Sequence, residues 1–207
     1  MNLPNTLTLG RIFLVPVLVV VLLTQFEGRS VLGVPKEIVG ALVFTVAALT
    51  DWLDGYLARR RRQVTTLGQL LDPLADKLLI TAALVSLVQM GLAPAWMAAV
   101  IILRELAVTG LRSIAQSRGI TMPASSLGKV KMGFQVAAVL LLLVGSVTVW
   151  ELVSLGKAAL WIVMALAIIS AVDYATRFSA TVGPAEAVSA RVTGGGAPVR
   201  EKRAGGA

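Results

Sequence analysis

The sequence predicts an all-α, polytopic membrane protein with about six transmembrane helices. Hydrophobic residues make up 57% of the 207 residues and charged residues only 14%, against typical soluble values of about 45–50% and about 25%. The mean hydropathy is +0.83. The apolar residues also fall into runs of the length that a bilayer requires, about 20 residues. These properties exclude a disordered chain, a coiled coil and an ordinary soluble globule.

Apolar stretches follow one another along the chain. The first begins after Pro4, which favours a helix start, and it lacks the basic segment and cleavage site of a signal peptide. The predicted spans cover approximately residues 7–24, 37–58, 67–90, 94–111, 130–145 and 152–174. Residues 1–178 form the predicted membrane domain. Residues 179–207 are predicted to form a disordered, basic tail rich in Gly and Ala.

Positive charge is unevenly distributed among the connections between these spans. Arginine and lysine concentrate after the second, fourth and sixth spans, whereas the connections 91–94 and 151–157 carry no net charge. The positive-inside rule therefore places both termini in the cytosol. The net charge of +8 fits this membrane orientation better than nucleic-acid binding, because no basic stripe carries interleaved aromatic residues.

The residue types that are missing restrict the chemistry. The chain has no cysteine and no histidine. Disulfides, Cys or His metal ligands, Cys nucleophiles and imidazole catalysis are therefore excluded. Any catalysis must use carboxylates, lysines, hydroxyls or a metal ion held by oxygen ligands.

Four aspartates at the predicted cytosolic ends of the second and third spans are the candidate metal ligands. Asp51 and Asp54 are three residues apart, and Asp72 and Asp76 are four apart, so each pair shares a helix face. The short connection predicts that the two helices are antiparallel neighbours and that the four carboxylates converge. Ionised carboxylates repel one another at low dielectric, and divalent cations are the natural compensation. Oxygen ligands favour Mg²⁺, Mn²⁺ or Ca²⁺ over zinc.

The same stretch carries the pattern D-x-x-D-G-x-x-A-R, eight residues, then G-x-x-x-D-x-x-x-D. It resembles the signature of the CDP-alcohol phosphatidyltransferases. Its eight specified positions are all present, as Asp51, Asp54, Gly55, Ala58, Arg59, Gly68, Asp72 and Asp76. Segments 2–11, 92–97, 104–112 and 128–131 are similar to the branch of that family with glycerol 3-phosphate as acceptor, although Met132 departs from it. Independently of the resemblance, Gly55 and Ala58 are also compatible with close helix packing.

The resemblance implies a membrane enzyme, commonly a homodimer, with its site at the cytosolic membrane interface. It implies transfer of a phosphatidyl group from CDP-diacylglycerol to sn-glycerol 3-phosphate, which gives phosphatidylglycerophosphate and CMP. Two divalent cations, Mg²⁺ or possible Mn²⁺, would be bound, one by Asp51, Asp54 and Asp72 and the other by Asp51, Asp72 and Asp76. Asp76 would also be the catalytic base. The implied contacts to the donor are Gly55, Ala58, Arg59, Thr65 and Gly68.

An acceptor that carries a phosphate requires a second anion pocket. The basic residues near the predicted cytosolic helix ends are the candidates: Arg104, Arg112, Lys129 and Lys131. Arginine suits bidentate phosphate recognition. The last three residues could instead anchor helix ends to lipid, and Arg104 could pair with Glu105 or with a site carboxylate. The run 60–62 favours an anionic-lipid anchor.

Other functions remain open from the sequence. The same chemistry could act on inositol phosphate, serine or phosphatidylglycerol, and the signature does not separate these acceptors. A divalent-cation transporter would use the four aspartates as an ion site, but it predicts polar residues in the outer halves of the spans, which are apolar here. A structural scaffold is the third alternative.

Overall fold

The computed structural model describes residues 3–24, 30, 31, 33–61, 66–117 and 126–194. Side chains are described for residues 9–24, 30, 31, 33–50, 75, 77–115, 117 and 130–176. In this part of the chain six helices follow one another: α1 Leu3–Leu23, α2 Lys36–Arg61, α3 Thr66–Gln89, α4 Ala95–Ser117, α5 Ser126–Gly145 and α6 Trp150–Gly194. The predicted helical fold class is confirmed, and the six helices fit the six predicted spans.

A small hairpin precedes α2 and was not predicted. Its strands are β1 Ser30–Val31 and β2 Val34–Pro35, and they pair antiparallel with Val31 opposite Val34. Gly33 in the turn has a φ of 81°, a conformation that glycine adopts without steric cost. Strands of two residues are too short to show a period of two in the sequence, which is why the hairpin was missed.

The helices pack through apolar faces around one core. α1 packs against α2 and α3, and α6 packs against α4 and α5. Phe44, Leu84 and Leu142 lie in this core and are fully buried. At Gly156 a Cβ atom would lie 2.7 Å from Cγ of Leu142, so glycine allows α5 and α6 to approach closely at this point.

Large apolar side chains also cover the outside of the bundle. Phe13, Leu42, Leu103 and Trp150 are each at least 66% exposed, and they lie on four different helices. Soluble monomers rarely expose so much apolar surface. By length and apolar composition one described segment, Trp150–Thr176, could cross a membrane, and shorter apolar segments lie in α1, α3 and α5. Charged residues such as Arg104 and Glu105 interrupt the apolar run of α4.

The last helix is longer than the sequence predicted. The predicted disordered tail begins at residue 179, whereas α6 continues to Gly194. Residues 179–194 are rich in alanine, which has the highest helix propensity. The glycine run that most strongly favours disorder begins only at Gly194. Residues 195–207 lie outside the described residues.

Candidate active site

The four aspartates lie on two helices, at similar distances along each helix from the ends that the chain connects. Asp51 and Asp54 come ten and seven residues before the end of α2, and Asp72 and Asp76 come six and ten residues after the start of α3. At a rise of about 1.5 Å per residue, both pairs lie about 9–15 Å from the connected helix ends. α2 and α3 contact each other. The two turns that the sequence assigned to the metal site thus lie at similar distances along two helices that contact each other.

Four of the five predicted donor-binding residues lie in α2 and α3 near the ends that the chain connects. Gly55, Ala58 and Arg59 lie in α2 after the first aspartate pair, and Gly68 lies in the first turn of α3. Thr65 lies outside the described residues. Asp51, Asp54 and Ala58 follow one another at spacings of three and four, so these positions lie along one face of α2.

The predicted acceptor residues occupy the neighbouring helices. Arg104 and Arg112 lie on α4, and Lys129 and Lys131 lie in the first two turns of α5. Lys129 is described by its backbone alone, whereas Lys131 is only 3% exposed. This burial favours an internal role for Lys131 over contact with lipid headgroups at the surface.

Glu105 on α4 is the centre of an ion-pair cluster that the sequence did not predict as a whole. Its Oε2 accepts a hydrogen bond of 2.7 Å from Nζ of Lys77 on α3. Its Oε1 lies 3.1 Å from Nη1 of Arg104 and also pairs with Nζ of Lys131 on α5. We call Lys77, Arg104, Glu105 and Lys131 the Glu105 cluster. It joins three helices through one carboxylate.

Arg104 extends this cluster to α6. Its Nε donates to the carbonyl oxygen of Ala167 at 3.1 Å, and its Nη2 donates to the hydroxyl of Ser170. Its side chain is 9% exposed. The structure thus shows the alternative role of Arg104, an ion pair with Glu105. The guanidinium is held by Glu105 on α4 and by Ala167 and Ser170 on α6.

Arg112, two turns along α4, contacts α6 in a different way. Its Nη2 donates a hydrogen bond of 2.7 Å to the hydroxyl of Tyr174, and its guanidinium carbon lies 5.4 Å from the centre of that ring. Tyr174 is 4% exposed. Both the hydrogen bond and the cation–π contact hold the guanidinium in place.

Two further basic residues were not assigned a role from the sequence. Lys77 directly follows Asp76 in α3, and its pairing with Glu105 lies next to the signature. Arg11 in α1 is 1% exposed, and α1 packs against the two helices that carry the aspartates. A lysine or arginine inside a predicted span is the signal that could have identified both, since such residues are costly in a membrane unless they serve a function.

Comparison with known proteins points to the same family as the signature. The family model for CDP-alcohol phosphatidyltransferases matches residues 1–182. A Bacillus subtilis protein named CDP-diacylglycerol–glycerol-3-phosphate 3-phosphatidyltransferase is 47% identical over 84% of this chain and 93% of its own length. A Rickettsia bellii protein of the same name is 36% identical over 84% of this chain and 93% of its own length. A Mycobacterium tuberculosis protein named probable phosphatidylglycerophosphate synthase is 38% identical over 88% of this chain and 84% of its own length.

Proposed function

The chain belongs to the CDP-alcohol phosphatidyltransferase family, and we propose that it transfers the phosphatidyl group of CDP-diacylglycerol to sn-glycerol 3-phosphate. The products are phosphatidylglycerophosphate and CMP. The observation that carries this proposal is the complete aspartate signature on α2 and α3, in a chain 47% identical to a relative named for that reaction. The anionic phospholipid pathway is the setting that the products imply.

Two divalent cations fit the donor set that α2 and α3 present. Four aspartates lie on two contacting helices, and the chain offers no histidine or cysteine that would select zinc. Asp51, Asp54 and Asp72 are proposed to hold one ion and Asp51, Asp72 and Asp76 the other, and both ions would be Mg²⁺ or, in its place, Mn²⁺. When bound, such ions neutralise a pyrophosphate and the charge on its leaving group.

Asp76 is proposed to remove the proton from the acceptor hydroxyl. An alcohol is a weak nucleophile at neutral pH, so a positioned carboxylate base is needed. The oxygen of the acceptor then forms a bond to the phosphorus that bears the diacylglycerol. The bond from that phosphorus to the CMP oxygen breaks, and CMP leaves with the electron pair.

The remaining polar residues are proposed to bind the two substrates. Gly55, Ala58, Arg59, Thr65 and Gly68 contact the CDP part of the donor. Small residues on α2 let the nucleotide lie against the helix. The acceptor phosphate is assigned to the basic residues of α4 and α5: Arg104, Arg112, Lys129 and Lys131. The burial of Arg104 and Lys131 supports this assignment, because buried cations suit recognition of an anion away from water.

The protein is proposed to cross the cytoplasmic membrane six times, with both termini and the active site on the cytosolic side. The exposed apolar side chains of the bundle support a lipid environment. Trp96 and Trp150 lie at the starts of α4 and α6, at the end opposite the arginine-rich connections, as expected for residues at a membrane interface. A homodimer is the proposed assembly, with residues 1–178 as its membrane domain.

The reaction is tested by incubating the purified protein in detergent with CDP-diacylglycerol and one acceptor at a time. CMP release is the readout. The panel contains glycerol 3-phosphate, inositol phosphate, serine and phosphatidylglycerol. We expect release with glycerol 3-phosphate alone. Release with another acceptor would retain the chemistry and correct the substrate.

Removal of divalent metal is expected to abolish this activity. Excess EDTA should stop CMP release, and Mg²⁺ in excess over the chelator should restore it. Without metal ions the negative carboxylates repel the pyrophosphate, and nothing at the aspartates neutralises its charge. Calcium–EDTA at the same concentration controls for effects of the chelator on the detergent micelle. Full turnover in excess EDTA would contradict the two-metal proposal.

Removal of the chain after Gly183 is expected to leave turnover nearly unchanged. In the described residues, the arginines of α4 donate hydrogen bonds to Ala167, Ser170 and Tyr174 of α6, which all precede Gly183, and the family model matches only to residue 182. Full-length and truncated protein are compared by CMP release after equal amounts of folded protein are confirmed by size-exclusion chromatography. Complete inactivity of a truncated protein that folds normally would assign a role to the tail.

A further inference from the structure

Glu105 is bound by more cationic groups than a simple ion pair involves. Both of its carboxylate oxygens are used, Oε2 by Lys77 and Oε1 by Arg104 and Lys131. The Glu105 side chain is 13% exposed and that of Lys131 is 4% exposed. A carboxylate in this position fixes the distances between three cationic groups that belong to three different helices.

This arrangement also restricts the motion of the basic residues. A lysine side chain has many rotamers, and ordering it on ligand binding costs entropy. A carboxylate of the protein that already orders the lysine side chain lowers this entropic cost of ligand binding, because the side chain is ordered before the ligand arrives. Arg104 is held on its other side by Ala167 and Ser170.

The position of the cluster relates it to the reaction. Lys77 directly follows Asp76 in α3, so the contact between Lys77 and Glu105 fixes α4 against the turn of α3 that carries the proposed base. Lys131 brings the start of α5 to the same point. Cationic groups gathered around the residue that pairs with Lys77, the neighbour of the proposed base in α3, suit an acceptor that presents a hydroxyl and a phosphate together.

We propose that Glu105 is a positioning residue for the acceptor: it orders Lys131 and Arg104 so that they receive the acceptor phosphate beside Asp76. The inference rests on the proposed function, which assigns these two cations to that phosphate. Glu105 itself does not contact the substrate. A merely structural role would predict instead that loss of the carboxylate lowers the stability of the bundle and leaves both KM values alone.

The first test is Glu105→Gln, measured by CMP release with each substrate varied in turn. The amide keeps the size of the side chain and loses its charge, so Lys131 and Arg104 lose their common partner. We expect the KM for glycerol 3-phosphate to rise about 10- to 100-fold, the effect of one charge-assisted contact, with a KM for CDP-diacylglycerol close to that of the wild type. Glu105→Asp keeps the charge and should recover part of the loss.

Ser113→Ala is the matched control on the same helix. Its hydroxyl donates within α4, to the carbonyl oxygen of Thr109, and it lies outside the Glu105 cluster. Both KM values should stay at wild-type levels in this variant. Thermal unfolding is recorded for every variant, so that an effect on stability is separated from an effect on acceptor affinity.

A double variant tests whether Glu105 acts through Lys131. Lys131→Met alone should raise the acceptor KM, and adding Glu105→Gln should raise it further by less than Glu105→Gln does in the wild-type background, because one of the two cations that Glu105 orders is already absent. The double variant also removes both charges of the Glu105–Lys131 pair, so neither member of this pair is left buried without the other. A double variant in which the two effects multiply would show that Glu105 acts independently of Lys131 and would overturn the proposal.

The remaining outcomes are equally decisive. An unchanged acceptor KM in Glu105→Gln would overturn the positioning role, and so would equal increases in both KM values. Failure of both Glu105→Gln and the double variant to fold would assign Glu105 to the stability of the bundle alone. If the wild-type protein releases no CMP with glycerol 3-phosphate, the proposed function fails first, and this result is read before any variant is compared.

Discussion

Replacing Asp76 by asparagine is expected to lower the turnover number by about 10²- to 10⁴-fold, the usual contribution of a positioned base. Asparagine is nearly isosteric with aspartate, but its amide cannot accept the proton of the acceptor hydroxyl. It also removes one carboxylate from the proposed ligands of one ion. The ion assigned to Asp51, Asp54 and Asp72 and the proposed donor contacts on α2 do not involve Asp76, so CDP-diacylglycerol should still bind.

Turnover and donor binding are measured separately in the Asp76 variant. CMP release gives the turnover number, and equilibrium binding of CDP-diacylglycerol gives the donor affinity. Glu151→Gln is the matched control, because Glu151 is an exposed carboxylate in the first turn of α6, far along the sequence from the signature. Wild-type CMP release from Asp76→Asn would refute its role as the base.

Asp51→Asn distinguishes a shared metal ligand from the base. Asp51 is assigned to both ions, so its loss should weaken metal binding as well as turnover. The Mg²⁺ concentration that supports half-maximal activity should increase in this variant and change less in Asp76→Asn. An unchanged Mg²⁺ dependence would remove Asp51 from the shared position.

The helical fold and the placement of the four aspartates on two successive helices could be predicted from the sequence, because both depend on local patterns. Apolar runs predicted where helices lie. The observed ends differ where polar residues continue a helix beyond its apolar run, as in α4, which ends at Ser117 and not near residue 111. The aspartate positions on α2 and α3 depend only on spacings of three and four within a helix and on a short connection between two helices.

The Glu105 cluster was not accessible in the same way. Its contacts join Lys77, Glu105 and Lys131 across sequence separations of 28 and 26 residues. Which faces of α3, α4 and α5 meet depends on the rotation of each helix in the packed bundle, and spacing within one helix does not determine this. The sequence could indicate only the adjacent pair of Arg104 and Glu105. The hairpin and the length of α6 were missed for different reasons. The strands of the hairpin are too short to show a period of two, and the alanines of residues 179–194 favour a helix where the glycine content of the tail had suggested disorder.

The choice of acceptor depends on the phosphate that distinguishes glycerol 3-phosphate from glycerol. We expect Arg112→Ala and Lys129→Ala each to raise the KM for the acceptor about 10- to 100-fold, because a buried charge-assisted contact to an anion contributes about 1.5–3 kcal/mol. The donor KM should change much less. Arg112→Lys should also raise the acceptor KM, since a point charge does not replace a planar guanidinium.

The contact between Arg112 and Tyr174 supplies a control for this experiment. Tyr174→Phe removes the hydroxyl that accepts the 2.7 Å hydrogen bond and keeps the ring that lies beside the guanidinium. Its acceptor KM should rise less than that of Arg112→Ala, because the guanidinium is still present. A Tyr174→Phe variant as impaired as Arg112→Ala would indicate that the pair acts in packing α4 against α6.

The alternative role of Arg112 and Lys129 makes a different forecast. If these residues only anchor helix ends to anionic lipid, both alanine variants should show altered membrane insertion or thermal stability, with an unchanged acceptor KM. The KM values of the two substrates therefore distinguish the two roles. Loss of a phosphate contact raises the acceptor KM alone, whereas loss of a lipid anchor changes neither the acceptor KM nor the donor KM. An unchanged acceptor KM in both variants would restrict the proposed phosphate pocket to Arg104 and Lys131. These residues are held together by Glu105, so the whole pocket would then lie within the Glu105 cluster.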